Sequence, residues 1–383
     1  MQRVGQQRLW SYTVGRRLAP FVLVGCVFFL NGLGLIMLMS IGRADAAGLG
    51  GYFIRQFLWA FIGLLAFGCT FLIDFERWRS AAWWLALGSV FLLVMVLIPG
   101  VGLKINGARR WLDLGPMNLQ VSDVAKIGYI FCLAHYFSMF HRERRSFLKG
   151  FVVPVLIMAL FFALILLQPD FGTAFLFALV GGLMLFLAGT SLAFLIPCGL
   201  LGAVLFALAI WQDPVRLERI LSFMDVEGNR SGGAYQLWQG IVGFASGGVS
   251  GVGLGNGRQP FAFLPEAHTD FIFPIIGEEL GLIFTLLVTL VFLVFFLTSW
   301  YQLQKAPALH SFLLVAGALL FITLQALVNM GVSMGLLPTK GMSLPFVSYG
   351  GSNLVISYVL TGIICRHVWQ WNNPPEFEAR DHL

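Results

Sequence analysis

The chain has 383 residues, 58% of them hydrophobic and only 11% charged, with a mean hydropathy of +0.84 and a formal net charge of +6. A soluble domain carries roughly 25% charged residues, so an ordinary cytosolic enzyme, a disordered chain and a disulfide-stapled secreted domain are all excluded. The composition is that of an all-α polytopic membrane protein, and its positive excess reports topology rather than a nucleic-acid partner.

The first 19 residues are polar and basic (Arg3, Arg8, Arg16, Arg17) and read as a cytoplasmic tail. Pro20 to Ile41 is longer than the ~7–15-residue core of a signal peptide and reads as the first span. At ~20 apolar residues per span, further helices are predicted at 52–73, 81–99, 122–140, 151–167, 171–189, 193–211, 271–299, 308–336 and 347–370. That gives about ten spans in one membrane domain over 20–370, with a C-terminal tail at 371–383. An even count puts both termini on one side. Arg142, Arg144, Arg145, Lys149, Lys305, Arg366 and Arg380 then fall with the N-terminal arginines, which assigns that side to the cytoplasm. Five cysteines (Cys26, Cys69, Cys132, Cys198, Cys365) lie within apolar runs and read as packing residues.

The outer segments also hold cations, among them Arg109, Arg110, Arg216, Arg219, Arg230, Arg258 and Lys340. They call for an anionic ligand. Two long outer connections, 100–121 and 212–270, separate the spans. The second lies between helices 7 and 8 and is rich in glycine. Tyr235, Trp238, Ile241, Val242 and Phe244 within it suggest a short amphipathic or re-entrant helix.

Chemistry concentrates in a few segments. In Pro265-Glu266-Ala267-His268-Thr269-Asp270, an acid stands directly before Phe271-Ile272-Phe273 at the membrane edge. Desolvation and a neighbouring carboxylate both raise proton affinity, which moves Asp270 toward the range of a general base. Helix-start acids are the plain alternative, and Glu266 suits it better than Asp270 does. Lys126 lies inside the fourth span three residues after Asp123. A charge there costs at least ~2.5 kcal/mol, so it either forms an internal ion pair or lines a cationic phosphate pocket. Arg109 and Arg110 beside Trp111 could be an interfacial anchor or part of that pocket. Pro338 to Asn353 breaks the helix at the mouth of the last span and offers Lys340, Ser343, Ser348 and Ser352 as a polar lining. Gln168-Pro169-Asp170-Phe171-Gly172 joins two spans, and Glu278 and Glu279 place acids inside the eighth. Together these features point to a site for an anionic, lipid-linked substrate at the outer leaflet. A transporter would put its charges near the midplane between two repeated halves, and no internal repeat is visible.

Gly107-Ala108-Arg109-Arg110-Trp111, Gln168-Pro169-Asp170-Phe171-Gly172, Pro265 to Phe273 and Leu344 to Ser352 resemble, in order, the signature segments of the SEDS family (shape, elongation, division and sporulation proteins). The resemblance covers nearly the whole chain. Ala267, Gly277-Glu278-Glu279-Leu280-Gly281 and Thr339-Lys340-Gly341 are closer to its division branch than to its elongation branch. The family's Gln-Pro-Ser-Glu stands here as Gln120-Val121-Ser122-Asp123, and its usual Gly-Gly-Ser-Ser ends here in Asn353. The resemblance implies an inverting peptidoglycan glycosyltransferase of the bacterial cytoplasmic membrane, polymerising lipid II at the septum. It makes Asp270 the catalytic acid-base residue, with Arg109, Arg110, Lys126, Glu266, His268, Lys340, Ser348, Gly350 and Gly351 binding substrate. Gln120, Ser122, Asp123, Asp170, Glu278 and Glu279 would support them. It implies a class B penicillin-binding protein and other division proteins as partners, besides membrane lipids. A divalent cation (Mg or Mn) could assist, although no carboxylate cluster demands one. A lipid II flippase, an elongation-type polymerase and a division scaffold are the rival readings.

Overall fold

The structure is a computed structural model describing residues 2–42, 51–75, 77–105, 107–113, 115, 118–259, 264 and 267–373, as backbone alone over 2–17 and at Arg77. The helices are α1 (Gln2–Ile41), α2 (Gly51–Leu72), α3 (Ala82–Met95), α4 (Val121–Met139), α5 (Val153–Leu166), α6 (Phe171–Ala188), α7 (Leu192–Trp211), α8 (Pro214–Met224), α9 (Tyr235–Gly247), α10 (Ile272–Leu303), α11 (Leu309–Ser333) and α12 (Gly351–Asn372). A 3-10 turn over Arg77–Ala81 leads into α3, and a π turn over Leu148–Val152 leads into α5.

Eight helical segments among the described residues are long and apolar enough to cross a membrane. α4 and α12, with 19 and 22 residues, match them in length but carry Asp123, Lys126 and His135, or Asn353, Arg366 and His367. Those polar groups are tolerated because α4, α11 and α12 form the enclosed centre of the bundle. In lipid such side chains must face protein. α2 lies along α12, and the approach is so close that a Cβ on Gly362 would sit 1.9 Å from the Thr70 hydroxyl. Small residues at such seams let membrane helices meet. α7 is the opposite case: it buries no residue fully, and touches the rest of the fold through half-buried side chains such as Phe194 and Phe206.

Three expectations need correction in detail. The polar N-terminal segment continues α1 back to Gln2, since its Gln, Arg and Leu residues are good helix formers. The 100–121 connection folds as an antiparallel sheet, β1 (Gly102–Ile105), β2 (Ala108–Asp113) and β3 (Asn118–Gln120), ordered β1-β2-β3. Among the described residues its strands are the exception to helices and turns. The 212–270 segment is no plain loop, because it contains α8 as well as the anticipated amphipathic helix, α9. Asp213 caps α8 by accepting from Val215 N at 3.0 Å and Arg216 N at 3.3 Å, with Pro214 at the first helical position. The tail residues 374–383 lie outside the described residues.

α10 breaks at Gly281 (φ 77°, ψ −175°). The glycine-rich strand of chain after α9 laces into the break: Val252 N and Gly253 N donate to the Glu278 and Glu279 carbonyls, while Leu282 N donates to the Gly248 carbonyl. Freed backbone groups inside a membrane fold must be satisfied in this way.

Candidate active site

The N-terminal ends of α2, α4, α6, α10 and α12 gather at one end of the bundle, together with β1–β3 and α8. Gln56 of α2 donates to the Ser348 carbonyl at 3.0 Å and accepts from Gly350 N at 3.3 Å, just before α12. Ser352 of α12 donates to Asp123 Oδ2 of α4 at 3.0 Å. Helix N-termini carry partial positive charge, so their convergence favours an anion.

Asp270 stands immediately before α10, in a turn clamped to the 342–349 segment. Ser348 Oγ donates to the Thr269 carbonyl at 2.5 Å and accepts from Leu344 N at 2.8 Å, while Tyr349 N donates to the His268 carbonyl at 2.9 Å. Asn329 of α11 donates to the Asp270 carbonyl at 2.9 Å and to the Met342 carbonyl at 2.5 Å. Phe346, in the same segment, is buried in the left-handed region at φ 67°. Strained backbone of that kind is held only where its surroundings over-determine it, as at functional sites. The backbone of Asp270 is therefore fixed from two sides.

Its carboxylate lies against Gly341: a Cβ there would come within 2.7 Å of Asp270 Oδ2. The missing side chain is what leaves room beside the carboxylate. Gly341→Ala should therefore insert and fold normally while turnover drops on the order of 10²-fold, since a misplacement of about 1 Å at a reacting group has that effect. Unchanged turnover in a folded variant would show that this space is not used.

One residue earlier, Lys340 reaches the start of α6. Its ammonium sits 5.4 Å from the Phe171 ring centroid and 5.3 Å from that of Phe175. The Arg216 guanidinium of α8 covers the Phe171 ring at 4.3 Å and pairs with Asp213 at 3.0 Å. Arg110, on β2, donates through Nε to the Gln168 carbonyl at 3.2 Å, through Nη2 to the Pro169 carbonyl, and lies 3.9 Å from Asp170 Oδ1. Asp170 is the N-cap of α6, accepting from Thr173 N at 3.2 Å. Three cations thus surround the N-terminus of α6, against two acids, Asp170 and Asp213. Burial pushes the Lys340 amine down to about 8, against the raising influence of Asp170 and with the lowering influence of Arg216.

Lys126 belongs to a different layer. It is 3% exposed and donates to Asp123 Oδ1 and to Gln325 Oε1 of α11, both at 2.8 Å. Gln325 donates onward to the Ser343 carbonyl and to Asn353 Oδ1, at 2.8 and 3.0 Å. Of the two readings left open by the sequence, this geometry displays the internal ion pair.

The remaining residues divide similarly. His268 stacks on Tyr52 of α2 at 4.5 Å, with Tyr349 closing the aromatic group. Gly350 and Gly351 bring α12 against α2, where a Cβ on Gly351 would meet the Trp59 ring. Ser122 is buried in the first turn of α4, and Gln120 pairs with Trp111 across β2–β3. Arg109 stands opposite Lys104 across β1–β2, on the other side of the strand from Arg110. Glu278 accepts from Arg258 N at 2.8 Å and Gln259 N at 3.1 Å, and Glu279 accepts from Ser40 at 2.6 Å. Both acids therefore hold the glycine-rich segment in place instead of lining the site. Glu266 lies outside the described residues. Sequence reasoning placed Arg216 only among the outer cations and did not single out Tyr52, Gln56, Gln325 or Asn329. The last four could have been found as polar pairs four residues apart within apolar helices.

Residues 21–370 match the model of the cell cycle protein family FTSW_RODA_SPOVE. Probable peptidoglycan glycosyltransferase FtsW of Coxiella burnetii is 37% identical over 372 residues, covering 95% of this chain and 98% of that one. The protein of the same name from Nitrosococcus halophilus is 41% identical over 361 residues, covering 90% of each. Among solved structures, a chain from a peptidoglycan synthase complex that coordinates polymerization and crosslinking superposes with a TM-score of 0.75 at 27% identity, over 92% of this chain and 98% of that one. The rod shape determining protein RodA of Thermus thermophilus follows with a TM-score of 0.68 at 26% identity, over 91% and 96%.

Proposed function

The chain belongs to the cell cycle protein family of FtsW, RodA and SpoVE, and from that premise we propose that it polymerises lipid II at the outer face of the cytoplasmic membrane. It is a multi-pass peptidoglycan glycosyltransferase. The observation that carries the chemistry is local: the carboxylate of Asp270 lies against Gly341, and the preceding residue, Lys340, carries its ammonium to the start of α6.

In this reading Asp270 takes the proton from the 4-hydroxyl of the acceptor sugar as that oxygen attacks the anomeric carbon of the donor. The bond to the donor's pyrophosphate breaks on the opposite face, so an α-linked donor yields a β-1,4 product. Charge developing on the leaving pyrophosphate is met by Lys340, Arg110 and Arg216 around the N-terminus of α6. Arg110 is bound to carbonyls and partly matched by Asp170, which preorganises its fork for a phosphate oxygen. Lys126 supports this layer from beneath. Among the described residues no group of three or more His, Cys, Asp or Glu comes together as a metal site. The positive charge the site itself supplies is that of its lysine and arginines. A class B penicillin-binding protein at the septum is the partner this reading implies.

Purified protein in bilayers supplied with lipid II should produce glycan polymer. Lipid II that crosses the bilayer without being joined would instead establish a flippase, and neither outcome would leave a scaffold.

Lys340 gives the reaction a pH signature. Its folded value of about 8 lies below the ordinary 10.5, so the ammonium is present below about 8 and lost above it. Between those values the native state has already released a proton that the unfolded chain still binds. Folding stability from this group therefore rises with pH while anion affinity falls. The KM for lipid II should climb as pH passes through about 8, and Lys340→Arg should flatten that climb. A profile identical in the two proteins would remove Lys340 from the phosphate site.

A further inference from the structure

We propose that the end of the bundle remote from Asp270 carries a binding site for the phosphate headgroup of an anionic phospholipid in the adjoining leaflet. α4 begins beside the active site at Val121 and rises ~27 Å to Met139. The connection that follows holds His141, Arg142, Arg144, Arg145 and Lys149 with one acid, Glu143, which is matched to Lys149 at 2.9 Å. The other four cationic or titratable side chains are exposed and line a single concavity of about 330 Å³. Nothing in the glycosyl transfer chemistry uses them.

The concavity is built from fixed backbone. Tyr136 Oη donates to the Lys149 carbonyl at 2.7 Å and Thr190 Oγ1 to the Gly150 carbonyl at 3.0 Å. A Cβ on Gly150 would lie 2.2 Å from the Arg144 carbonyl oxygen, so only glycine permits this close return of the chain. The Arg144 side chain runs along Gly189, the left-handed residue that ends α6, at 3.4–3.5 Å from where a Cβ would be. The π turn at Leu148–Val152 begins here, and such turns concentrate at functional positions.

What decides the ligand class is the apolar residues that flank the cations in the chain. Met139, Phe147 and Leu148 are 54%, 59% and 61% exposed. A free phosphate would satisfy the guanidinium groups and gain nothing from three exposed apolar side chains. A phospholipid offers both halves: a phosphodiester for the arginines and acyl chains for the exposed apolar residues on either side of them. Basic pockets between helices at a membrane face bind such headgroups, and Arg supplies bidentate contacts to phosphate.

The test uses the full chain in nanodiscs of phosphatidylcholine mixed with phosphatidylglycerol, with retained lipid read by native mass spectrometry. The unaltered protein should keep phosphatidylglycerol preferentially. R142Q/R144Q/R145Q should lower that retention on the order of tenfold. A charge-matched control, K104Q/R219Q/R230Q, removes three exposed cations elsewhere and should leave the preference intact. Equal losses from both triples would reduce the effect to net charge and overturn the site. Inorganic phosphate in excess should not displace the lipid; displacement would establish a simple anion site instead. If the triple variant does not insert, a photoreactive phosphatidylglycerol on the unaltered protein decides, because labelling should concentrate at 139–149. Labelling spread evenly over the chain would overturn the proposal.

Discussion

Asp270→Asn should leave a folded, membrane-inserted protein whose polymer yield from lipid II is lower by ~10²–10⁴-fold. The substitution keeps the size and polarity of the side chain, so the features that fix its backbone survive. The Asn329 amide still donates to the residue 270 carbonyl, and Ser348 still donates to the Thr269 carbonyl. Only the proton acceptor disappears. Loss of turnover with unchanged thermal stability and unchanged lipid II binding would place the defect in chemistry. A yield near that of the unaltered protein would remove Asp270 as the base. The contrast with Gly341→Ala is informative, because that change spares the carboxylate and disturbs the space it faces. A site organised as described should suffer in both variants, and more in the first.

Asp270 was legible in the sequence because a carboxylate directly before Phe271-Ile272-Phe273 has no ordinary reason to sit at a membrane edge. Arg110 and Lys340 were legible for a related reason, as cations on the side where topology does not call for them. Arg216 was not. It occurs among several arginines of a glycine-rich segment, and only the placement of α8 puts it over Phe171, 45 positions earlier in the chain. The sheet over 102–120 was hidden because its strands are three to six residues long and carry charged residues where apolar alternation would signal a strand. The spans themselves were the easiest part, since length and hydropathy are imposed by the bilayer. Even so, the pattern could not say that α4 and α12 are the enclosed helices. Their polar residues, Asp123 and Lys126 on one and Ser352 and Asn353 on the other, lower the apolar signal for the same reason that they must face inward. Pairing was the least legible property: Lys126 and Gln325 are 199 positions apart.

Lys126→Gln alone should destabilise the protein by ~3–5 kcal/mol, because it leaves the Asp123 carboxylate buried without its countercharge. Asp123 would keep the Ser352 hydroxyl at 3.0 Å, which satisfies one lone pair and does not neutralise the charge. Asp123→Asn alone should be comparably harmful, for it strands an ammonium among Gln325 and the apolar residues of α4. The double change Asp123→Asn/Lys126→Gln removes both charges and retains groups able to hydrogen-bond to Ser352 and Gln325, so most of the lost stability should return. Activity then separates the two roles that a buried lysine near a phosphate site can play. If Lys126 holds α4 against α11 and α12, the double variant should regain polymerisation along with its fold, since Arg110, Lys340 and Arg216 still face the pyrophosphate. If Lys126 instead leaves Asp123 to meet the substrate during turnover, the double variant should fold and remain as inactive as Lys126→Gln. The geometry favours the first result: the ammonium has partners at 2.8 Å on two helices, and its side chain is 4% exposed. To reach a phosphate it would have to break both contacts inside a low-dielectric interior, where an unpaired charge is most costly. Lys340 starts from a different place, because its ammonium already lies over Phe171 and Phe175 at the start of α6.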